Sequence, residues 1–244
     1  GKKLKQKNNN SKIISQSPSV TQVKSSILNQ NLDWNPNHYS SKLFKALEDQ
    51  IKSNKNDYNL VKLDEVVEFI TNERKKEKIH PETVFISVLH IINNRSLDFK
   101  SMNSFEVKDK GIKCYPGDLI FSKINPRIPR SIVVPDFSKD LSCSNEFEIL
   151  NSKSEFDNYF IKCLLTQEYV LEQILNMTSG TSASHNRLKT NDFKNIIIPI
   201  PKSNSPKYEK LKKLSEEYKY TNKNLLKNEL KLNELEESIY SQFN

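Results

Sequence analysis

The sequence predicts an α+β domain followed by one long C-terminal helix. Three observations lead to this fold class. Short apolar runs bounded by proline, glycine and polar residues fill the middle of the chain, which is typical of strands. Apolar residues at helical spacing lie before and after that region, and the two kinds of pattern do not alternate regularly. No glycine follows Gly180 and no proline follows Pro206, so the end of the chain can form an uninterrupted helix.

The first 30 residues predict a flexible basic tail or linker. Lys, Asn, Ser and Gln dominate them, and such a composition buries too little apolar surface to offset the entropy of ordering. Residues 1–32 hold six lysines and no acidic residue. The other residues therefore carry 32 basic and 30 acidic side chains, so only +2 of the net charge of +8 belongs to them. Overall charge is thus weak evidence for a nucleic-acid partner, and local charge clusters are more informative.

Composition also limits the class of protein. Three cysteines without a C-x-x-C pair are expected to be buried thiols in a reducing cytoplasm. His38, His80 and His90 have no ligand spacing, so we expect no metal site. No apolar run approaches the roughly 20 residues that a membrane helix needs. We therefore expect a cytoplasmic protein without a membrane partner.

Two helices are expected to open the folded domain, because apolar residues recur there every three or four positions. The first set is Trp34, Tyr39, Leu43, Phe44, Leu47 and Ile51, and the second is Leu60, Leu63, Val66, Val67 and Ile70.

The middle of the chain predicts strands at residues 84–92, 119–124, 132–134 and 147–150. Prolines 126, 129 and 135 mark the loops between them, since proline cannot pair within a central strand. Residues 154–177 carry one wide apolar stripe and predict a helix, and the apolar run at 196–201 predicts a further strand.

The last helix is predicted to begin after Ser205, a good N-cap, with Pro206 in its first turn. Its apolar residues follow a heptad repeat, which predicts a coiled-coil seam with a second copy or another protein. The dimerisation residues are Leu211, Leu214, Tyr218, Leu225, Leu232, Leu235 and Ile239. The polar residues Thr221, Asn228 and Gln242 interrupt this seam, so self-association is expected to be weak.

Two polar loops are candidate DNA contacts. The loop at residues 123–130 is fixed by prolines and carries three cations and no acid, and arginine and asparagine can reach phosphates or base edges there. The loop at residues 176–191 offers hydroxyl, amide and basic donors between a helix and a strand. The alternative for each is an ordinary solvated or capping loop. The candidate residues are Lys123, Asn125, Arg127, Arg130, Thr181, Ser182, His185, Asn186, Arg187 and Lys189.

No set of catalytic groups accompanies these loops. Asn125-Pro126 lacks the second proline and the aromatic ring with which amino-methyltransferases hold a flipped adenine. The chain has four glycines and no glycine-rich cofactor loop, and no Gly-x-Ser-x-Gly elbow supports a hydrolase. The sequence therefore favours binding over catalysis, with no cofactor of its own.

At these residues the sequence resembles a target recognition domain of the specificity subunits of type I restriction–modification systems. The resemblance covers roughly residues 32–240, and the order and spacing of its segments make it fairly specific. Ser87 stands where the family has glycine, and residues 207–209 replace the usual Glu-Gln pair. The segments that carry it are 32–39, 85–91, 116–120, 122–124, 143–147, 180–182 and 198–201.

The resemblance implies a mixed α/β, non-catalytic, DNA-reading domain at residues 31–204. Residues 205–244 would then be a helix for dimerisation and methyltransferase docking. The partners implied are double-stranded DNA, a second copy of the chain, and methyltransferase and restriction subunits, with S-adenosylmethionine bound by the methyltransferase. Family members usually carry two such domains, so a half-sized subunit would pair through its helix and read a bipartite, palindromic site.

Two alternatives remain open. The chain could be the C-terminal recognition domain of a fused adenine methyltransferase or restriction enzyme, with the lysine-rich residues 1–30 as the linker. It could also be a coiled-coil scaffold with no DNA role, in which the basic loops are only solvated. Competition of DNA binding by moderate salt, without sequence preference, would favour the scaffold.

Overall fold

A computed structural model describes residues 57–106, 110–126, 128–178 and 186–243. Helices and strands are mixed along the chain, which confirms the mixed α/β character and the long C-terminal helix. The expected tail at residues 1–30 and the first expected helix at residues 34–51 lie outside the described residues. No helix in the described part of the chain is both long and apolar enough to cross a lipid bilayer.

A four-stranded antiparallel sheet forms the centre of the domain, in the order β2-β11-β8-β9. Its strands are Val67–Phe69 (β2), Phe147–Ser152 (β11), Leu119–Ser122 (β8) and Ser131–Val133 (β9). Side chains alternate between its two faces, and both faces are covered. Leu119 and Phe121 belong to one hydrophobic core, whereas Ile120 belongs to another. Burial on both sides explains why β8 is a continuous apolar run.

A second four-stranded sheet covers one face of the central sheet, in the order β3-β7-β10-β4. Its strands are Lys76–Lys78 (β3), Val84–Ile86 (β4), Lys110–Lys113 (β7) and Leu141–Cys143 (β10). Strands β10 and β4 pair in parallel, and the other neighbours are antiparallel. Ile86, Ile112 and Cys143 pack from this sheet against the central one.

Helices cover the other face of the central sheet. Helix α3 (Asn158–Leu165), helix α4 (Glu168–Met177) and the short helix α5 (Thr190–Lys194) contribute buried side chains to the first core. The remaining helices are Leu63–Val66 (α1), Phe99–Ser104 (α2) and Pro206–Tyr240 (α6).

Two small antiparallel pairs complete the fold. Tyr58–Lys62 (β1) pairs with Ile197–Pro201 (β12), and Ile91–Ile92 (β5) pairs with Ser96–Leu97 (β6). Strand β12 contains Pro199 and Pro201. A two-stranded sheet tolerates them because each strand has an outer edge without a neighbouring strand, where a missing N–H donor breaks no ladder hydrogen bond. The expectation of a strand at the 196–201 run is confirmed.

The expected second helix at residues 60–70 is wrong. Strand β1, a single helical turn (α1) and strand β2 occupy that segment instead. Three of its apolar residues are Val61, Val66 and Val67, and β-branched side chains favour strands. Apolar spacing over so short a segment does not separate a helix from two strands joined by a turn.

Two other expected elements are broken in the structure. Residues 84–92 were expected to form one strand, but they form β4, a 3-10 turn at Val88–His90 and β5. The Ser87 hydroxyl accepts from the Leu89 amide and so caps the turn that interrupts the strand. The expected helix at residues 154–177 divides into α3 and α4. The Thr166 hydroxyl and the Gln167 side chain both donate to the Cys163 carbonyl oxygen, at 3.0 and 3.1 Å, and this ends α3.

The strands expected at 119–124, 132–134 and 147–150 are present with shifts of one or two residues at their ends. Six strands, namely β1, β2, β3, β6, β7 and β10, were not expected from the sequence. Cys114 and Cys143 are buried thiols as expected, whereas Cys163 is only partly buried.

Candidate nucleic-acid interface

Backbone hydrogen bonds join the first candidate loop to residues 186–188 of the second, side by side at one end of the central sheet. Ile124 forms a β-bridge with Arg187. The Asn125 amide donates to the Asn186 carbonyl oxygen at 2.8 Å, and the Leu188 amide donates to the Lys123 carbonyl oxygen at 2.9 Å. Segments separated by about 60 residues therefore present one continuous edge.

The β8–β9 hairpin is held in shape by its own backbone. Asn125 has a φ of 50°, a conformation that asparagine tolerates better than most residues. The Ile128 amide donates to the Asn125 carbonyl oxygen at 3.0 Å, and the Ser122 amide donates to the Arg130 carbonyl oxygen at 2.9 Å. Arg130 is therefore fixed at the base of the hairpin, with a partly exposed side chain.

A third segment completes this edge, the β10–β11 turn at residues 144–146. The Lys123 amide donates to the Glu146 carbonyl oxygen at 2.8 Å, which ties the turn to the hairpin. Asn145 is exposed at the tip of the turn. The candidate interface is therefore defined here as the hairpin, this turn and residues 186–189.

Arg187 and Glu146 form an ion pair across the candidate interface. The Nη2 atom of Arg187 lies 2.6 Å from Oε2 of Glu146, although its N–H is not aligned for a hydrogen bond. The Arg187 side chain is 57% exposed, and that of Glu146 is 30% exposed. An approaching phosphate could therefore compete with Glu146 for the guanidinium.

Lys123 differs from the other candidate cations because it points towards the protein interior. Its side chain is 16% exposed, and its ammonium lies 3.6 Å from the carboxylate of the buried Glu148. The Thr190 hydroxyl donates to the same carboxylate at 2.6 Å, and the Thr71 hydroxyl also donates to it. The structure thus assigns Lys123 a contact beneath the loops.

Glu148 is the second residue of strand β11 and connects three separate segments. Through Lys123 it holds the hairpin, through Thr190 the start of α5, and through Thr71 the turn that follows β2. The Thr71 hydroxyl also accepts from the Ile149 amide at 2.7 Å. This buried network fixes the base of the candidate interface.

The other candidate residues are distributed as follows. Lys189 and Arg187 are exposed, and Asn186 and Asn125 are partly exposed on the same edge. Arg127, Thr181, Ser182 and His185 lie outside the described residues. The DNA-contact roles of all ten candidates stay predictions.

Sequence reasoning did not assign Glu146, Asn145 or Glu148 to the site. Residues 144–146 carry a readable signal, a short polar stretch between two apolar strands. Glu148 carries a weaker one, a carboxylate inside the apolar run of β11. A buried acid in such a position requires a partner, and that partner could have been sought among the nearby cations.

The described side chains of the site are mostly binding groups. The exposed or partly exposed ones include cations, amides and one carboxylate, which suit phosphates and base edges, and the apolar Ile128. No group of three or more metal-ligating side chains occurs in the described ranges. His90 is buried and accepts a 3.0 Å hydrogen bond from the Ser87 amide at Nδ1, and burial lowers its pKa.

The expected dimerisation residues divide into two groups along α6. Leu211 and Tyr218 pack against the first core of their own domain. Further along the helix the side chains are exposed, from 41% at Leu225 to 59% at Leu232. Leu214, Leu235 and Ile239 are exposed as well. Dimerisation and the coiled coil stay predictions.

A buried lysine lies at the junction between the domain and α6. The Lys162 ammonium donates to the Asn94 carbonyl oxygen at 2.7 Å and to the Tyr218 hydroxyl at 3.1 Å. Burial is the main cause that lowers the pKa of Lys162 to about 8. Burial likewise raises the pKa of Tyr218 to about 12. Helix α6 is thus attached to its own domain through polar as well as apolar contacts.

Comparisons with known proteins give structural neighbours but no family. No family model matches the sequence, and no curated protein matches it. The HsdS subunit from Thermoanaerobacter tengcongensis superposes with a TM-score of 0.46 at 19% identity, over 66% of this chain and 40% of that one. The type I restriction-modification system S subunit from M. genitalium gives a TM-score of 0.47 at 14% identity, over 78% and 46%.

A structure of the assembled type I R-M system gives a TM-score of 0.40 at 12% identity, over 89% of this chain and 56% of that one. The chain therefore spans about half the length of these neighbours. With every TM-score below 0.5, these likenesses do not by themselves establish a shared fold or function.

Proposed function

We propose that this chain is a sequence-specific, double-stranded DNA recognition subunit of a type I restriction–modification system. The domain would read one half-site through the candidate interface. Its long helix would pair with that of a second copy and so present two half-sites as a bipartite, palindromic target. A partner adenine methyltransferase or endonuclease, which would bind S-adenosylmethionine where it methylates, would supply the catalysis, and the assembly would act in the cytoplasm.

The observation that carries this proposal is the juxtaposition of the two candidate loops. The sequence of each loop is rich in hydrogen-bond donors, and two backbone hydrogen bonds, which form the Ile124–Arg187 bridge, join the first loop to residues 186–188 of the second. Rigid loops on a sheet edge that present cations and amides provide both phosphate contacts and base readout. The resemblance of the sequence to type I specificity subunits indicates that such a DNA-reading domain would work in a restriction–modification system.

The exposed half of the α6 seam supports pairing. Leu225, Leu232 and Ile239 are exposed by 41, 59 and 56%, and they recur at heptad spacing. A single helix cannot bury such a stripe, so a second helix is the natural partner. Leu211 and Tyr218, in contrast, pack against the core of their own domain.

The proposal is tested by the DNA affinity of a loop variant. Replacement of Arg130, Arg187 and Lys189 by Ala is expected to lower the affinity for a random-sequence duplex at least tenfold. Fluorescence anisotropy measures this affinity. A control variant, Lys100→Ala with Lys210→Ala and Lys213→Ala, removes the same charge from exposed positions away from the interface. Equal losses of DNA affinity in both variants would show that binding depends only on overall charge, and this would contradict the proposal.

A further inference from the structure

A groove lies between α6 and the domain, at the end of the central sheet opposite the candidate interface. Its volume is about 920 Å³. One wall is α6, and the other is formed by the turn at Pro116 and Gly117, residues 134–138 and the start of α3. Gly117 precedes β8 and the hairpin follows it, so the two sites are separated by the length of that strand, about 13 Å.

Four lysines line the helical wall at every fourth position: Lys219, Lys223, Lys227 and Lys231. The two outer ones already bind carboxylates of this chain. Lys219 lies 2.9 Å from Asp157, and Lys231 lies 3.4 Å from Glu234. Neither Lys223 nor Lys227 forms an ion pair with any residue in the described ranges. The centre of the wall is therefore cationic.

The floor beneath these lysines is apolar. Leu226 and Phe99 are buried there, and Leu230 and Phe137 are partly buried. A phosphate backbone has no apolar groups that could pack against such a floor. A protein segment can present carboxylates to the lysines and aliphatic side chains to the floor. The combination favours an acidic, amphipathic protein segment as the occupant over a nucleic acid.

A second copy bound around Leu225 would leave the central lysines of this groove open. Lys223 and Lys227 are each two residues from Leu225, which places them about 160° away around the helix. Leu225 therefore lies on the flank of α6 opposite the centre of the groove, whereas Leu235, one turn after Lys231, lies nearer to the groove. Residues 1–32 are an unsuitable ligand for this groove, because they contain six lysines and no acidic residue.

We infer that the groove lined by Lys219, Lys223, Lys227 and Lys231 is a docking surface for an acidic, amphipathic segment of a different protein. This inference rests on the proposed function, because a recognition subunit without catalytic groups has to recruit a partner. Beyond Lys231 the wall becomes acidic at Glu234 and Glu237, so the acidic part of the ligand should end there. The lysine stripe spans about 18 Å at ~1.5 Å per residue.

The probe is a fluorescein-labelled peptide of about 13 residues, the length of the stripe in helical form. Glutamate stands at every fourth position with leucine beside it, and a control peptide has glutamine in place of each glutamate. The full chain is expected to bind the acidic peptide at least tenfold more tightly than the glutamine peptide in fluorescence anisotropy.

The groove variant Lys223→Glu with Lys227→Glu is expected to lose at least tenfold in affinity for the acidic peptide. The matched control, Lys210→Glu with Lys213→Glu, changes the same charge on exposed residues of α6 outside the groove and should lose less than twofold. A milder variant, Lys223→Gln with Lys227→Gln, provides the same comparison if charge reversal prevents folding.

Three results would overturn the inference. One is equal peptide affinity in the groove and control variants. Another is a loss of duplex DNA binding specific to the groove variant, which would place the groove in the DNA interface. The third is a loss of self-association specific to that variant, which would make a second copy the occupant. Failure of DNA recognition with peptide binding intact would instead contradict the proposed function alone.

Discussion

At the scale of single residues, Glu148 and Glu146 provide a direct comparison between a buried acid and a partly exposed one. Both lie beside candidate DNA-contact cations, but Glu148 is 3% exposed and Glu146 is 30% exposed. Removal of one partner from a buried pair leaves the other charge without compensation, whereas an exposed pair contributes little. Glu148 is therefore expected to stabilise the fold. Glu146 is expected to compete with a DNA phosphate for Arg187.

Glu148→Ala is expected to lower the free energy of unfolding by on the order of 3 kcal/mol, because Lys123, Thr71 and Thr190 lose their acceptor. Glu146→Ala should change it by less than about 1 kcal/mol. Urea denaturation followed by circular dichroism measures both values. Equal effects of the two substitutions would show that the buried network does not support the loops.

Arg187→Ala is expected to reduce the dependence of log affinity on log salt concentration by about 0.9, the contribution of one phosphate contact. Glu146→Ala should increase affinity by up to about fivefold, since the ion pair with Glu146 no longer competes for the guanidinium. Titrations with duplex DNA at several salt concentrations measure both effects. A salt slope unchanged by Arg187→Ala would remove Arg187 from the phosphate contacts.

Lys162 predicts a stability change at alkaline pH. Burial lowers its pKa from the ordinary value of 10.5 to about 8, so between these values the unfolded chain binds more protons than the folded one. Wild-type stability should therefore rise from pH 7 to pH 10 relative to Lys162→Met, by on the order of 3 kcal/mol. Denaturation of both proteins at each pH isolates this residue. A difference that stays constant with pH would contradict the buried charge.

At the scale of secondary structure elements, the sequence was most informative where a pattern had one interpretation. The central strands β8, β9 and β11 contain short apolar stretches bounded by loops, and the Ser205 hydroxyl caps α6 by accepting from the Lys207 amide at 3.1 Å. Both features depend on neighbours in sequence, so they could be predicted locally.

Other elements depend on partners far away in the chain. Strand β1 exists because it pairs with β12, from Tyr58 opposite Pro201 to Lys62 opposite Ile197. Strands β3 and β7 carry lysines and little apolar character, and they form through pairing within the second sheet. Similarly, the ion pair between Lys123 and Glu148 beneath the loops depends on the register in which β8 and β11 pair. Such long-range pairing leaves no trace in a local pattern.

Adjacent leucines on α6 test the division of that helix into two faces. Leu226 is 2% exposed in the core of its own domain, whereas Leu225 is 41% exposed on the proposed seam. Leu226→Ala should lower the free energy of unfolding by about 2–4 kcal/mol. Leu225→Ala should change it by less than about 1 kcal/mol but weaken self-association.

Urea denaturation at low protein concentration and sedimentation velocity at high concentration separate these two effects. If Leu225→Ala leaves the sedimentation coefficient unchanged at concentrations where the wild type self-associates, the exposed half of α6 is not the seam.

At the scale of the whole molecule, three surfaces occupy distinct positions. The candidate DNA interface lies at one end of the central sheet, and the lysine-lined groove lies at the other end. The exposed Leu225 is on the flank of α6 opposite the centre of the groove. The proposed contacts with DNA, with a second copy and with an acidic partner segment therefore use separate surfaces of the described part of the chain.

Sequence-specific DNA recognition by a paired subunit is tested most directly by selection of duplex DNA from a random pool. The purified full chain would be used at physiological salt, with the bound fraction sequenced. We expect enrichment of a bipartite palindrome with a fixed gap between two half-sites, because a two-fold dimer presents two identical readers. Absence of any enriched sequence, while binding persists and falls steeply with salt, would contradict sequence recognition and leave only nonspecific electrostatic attraction.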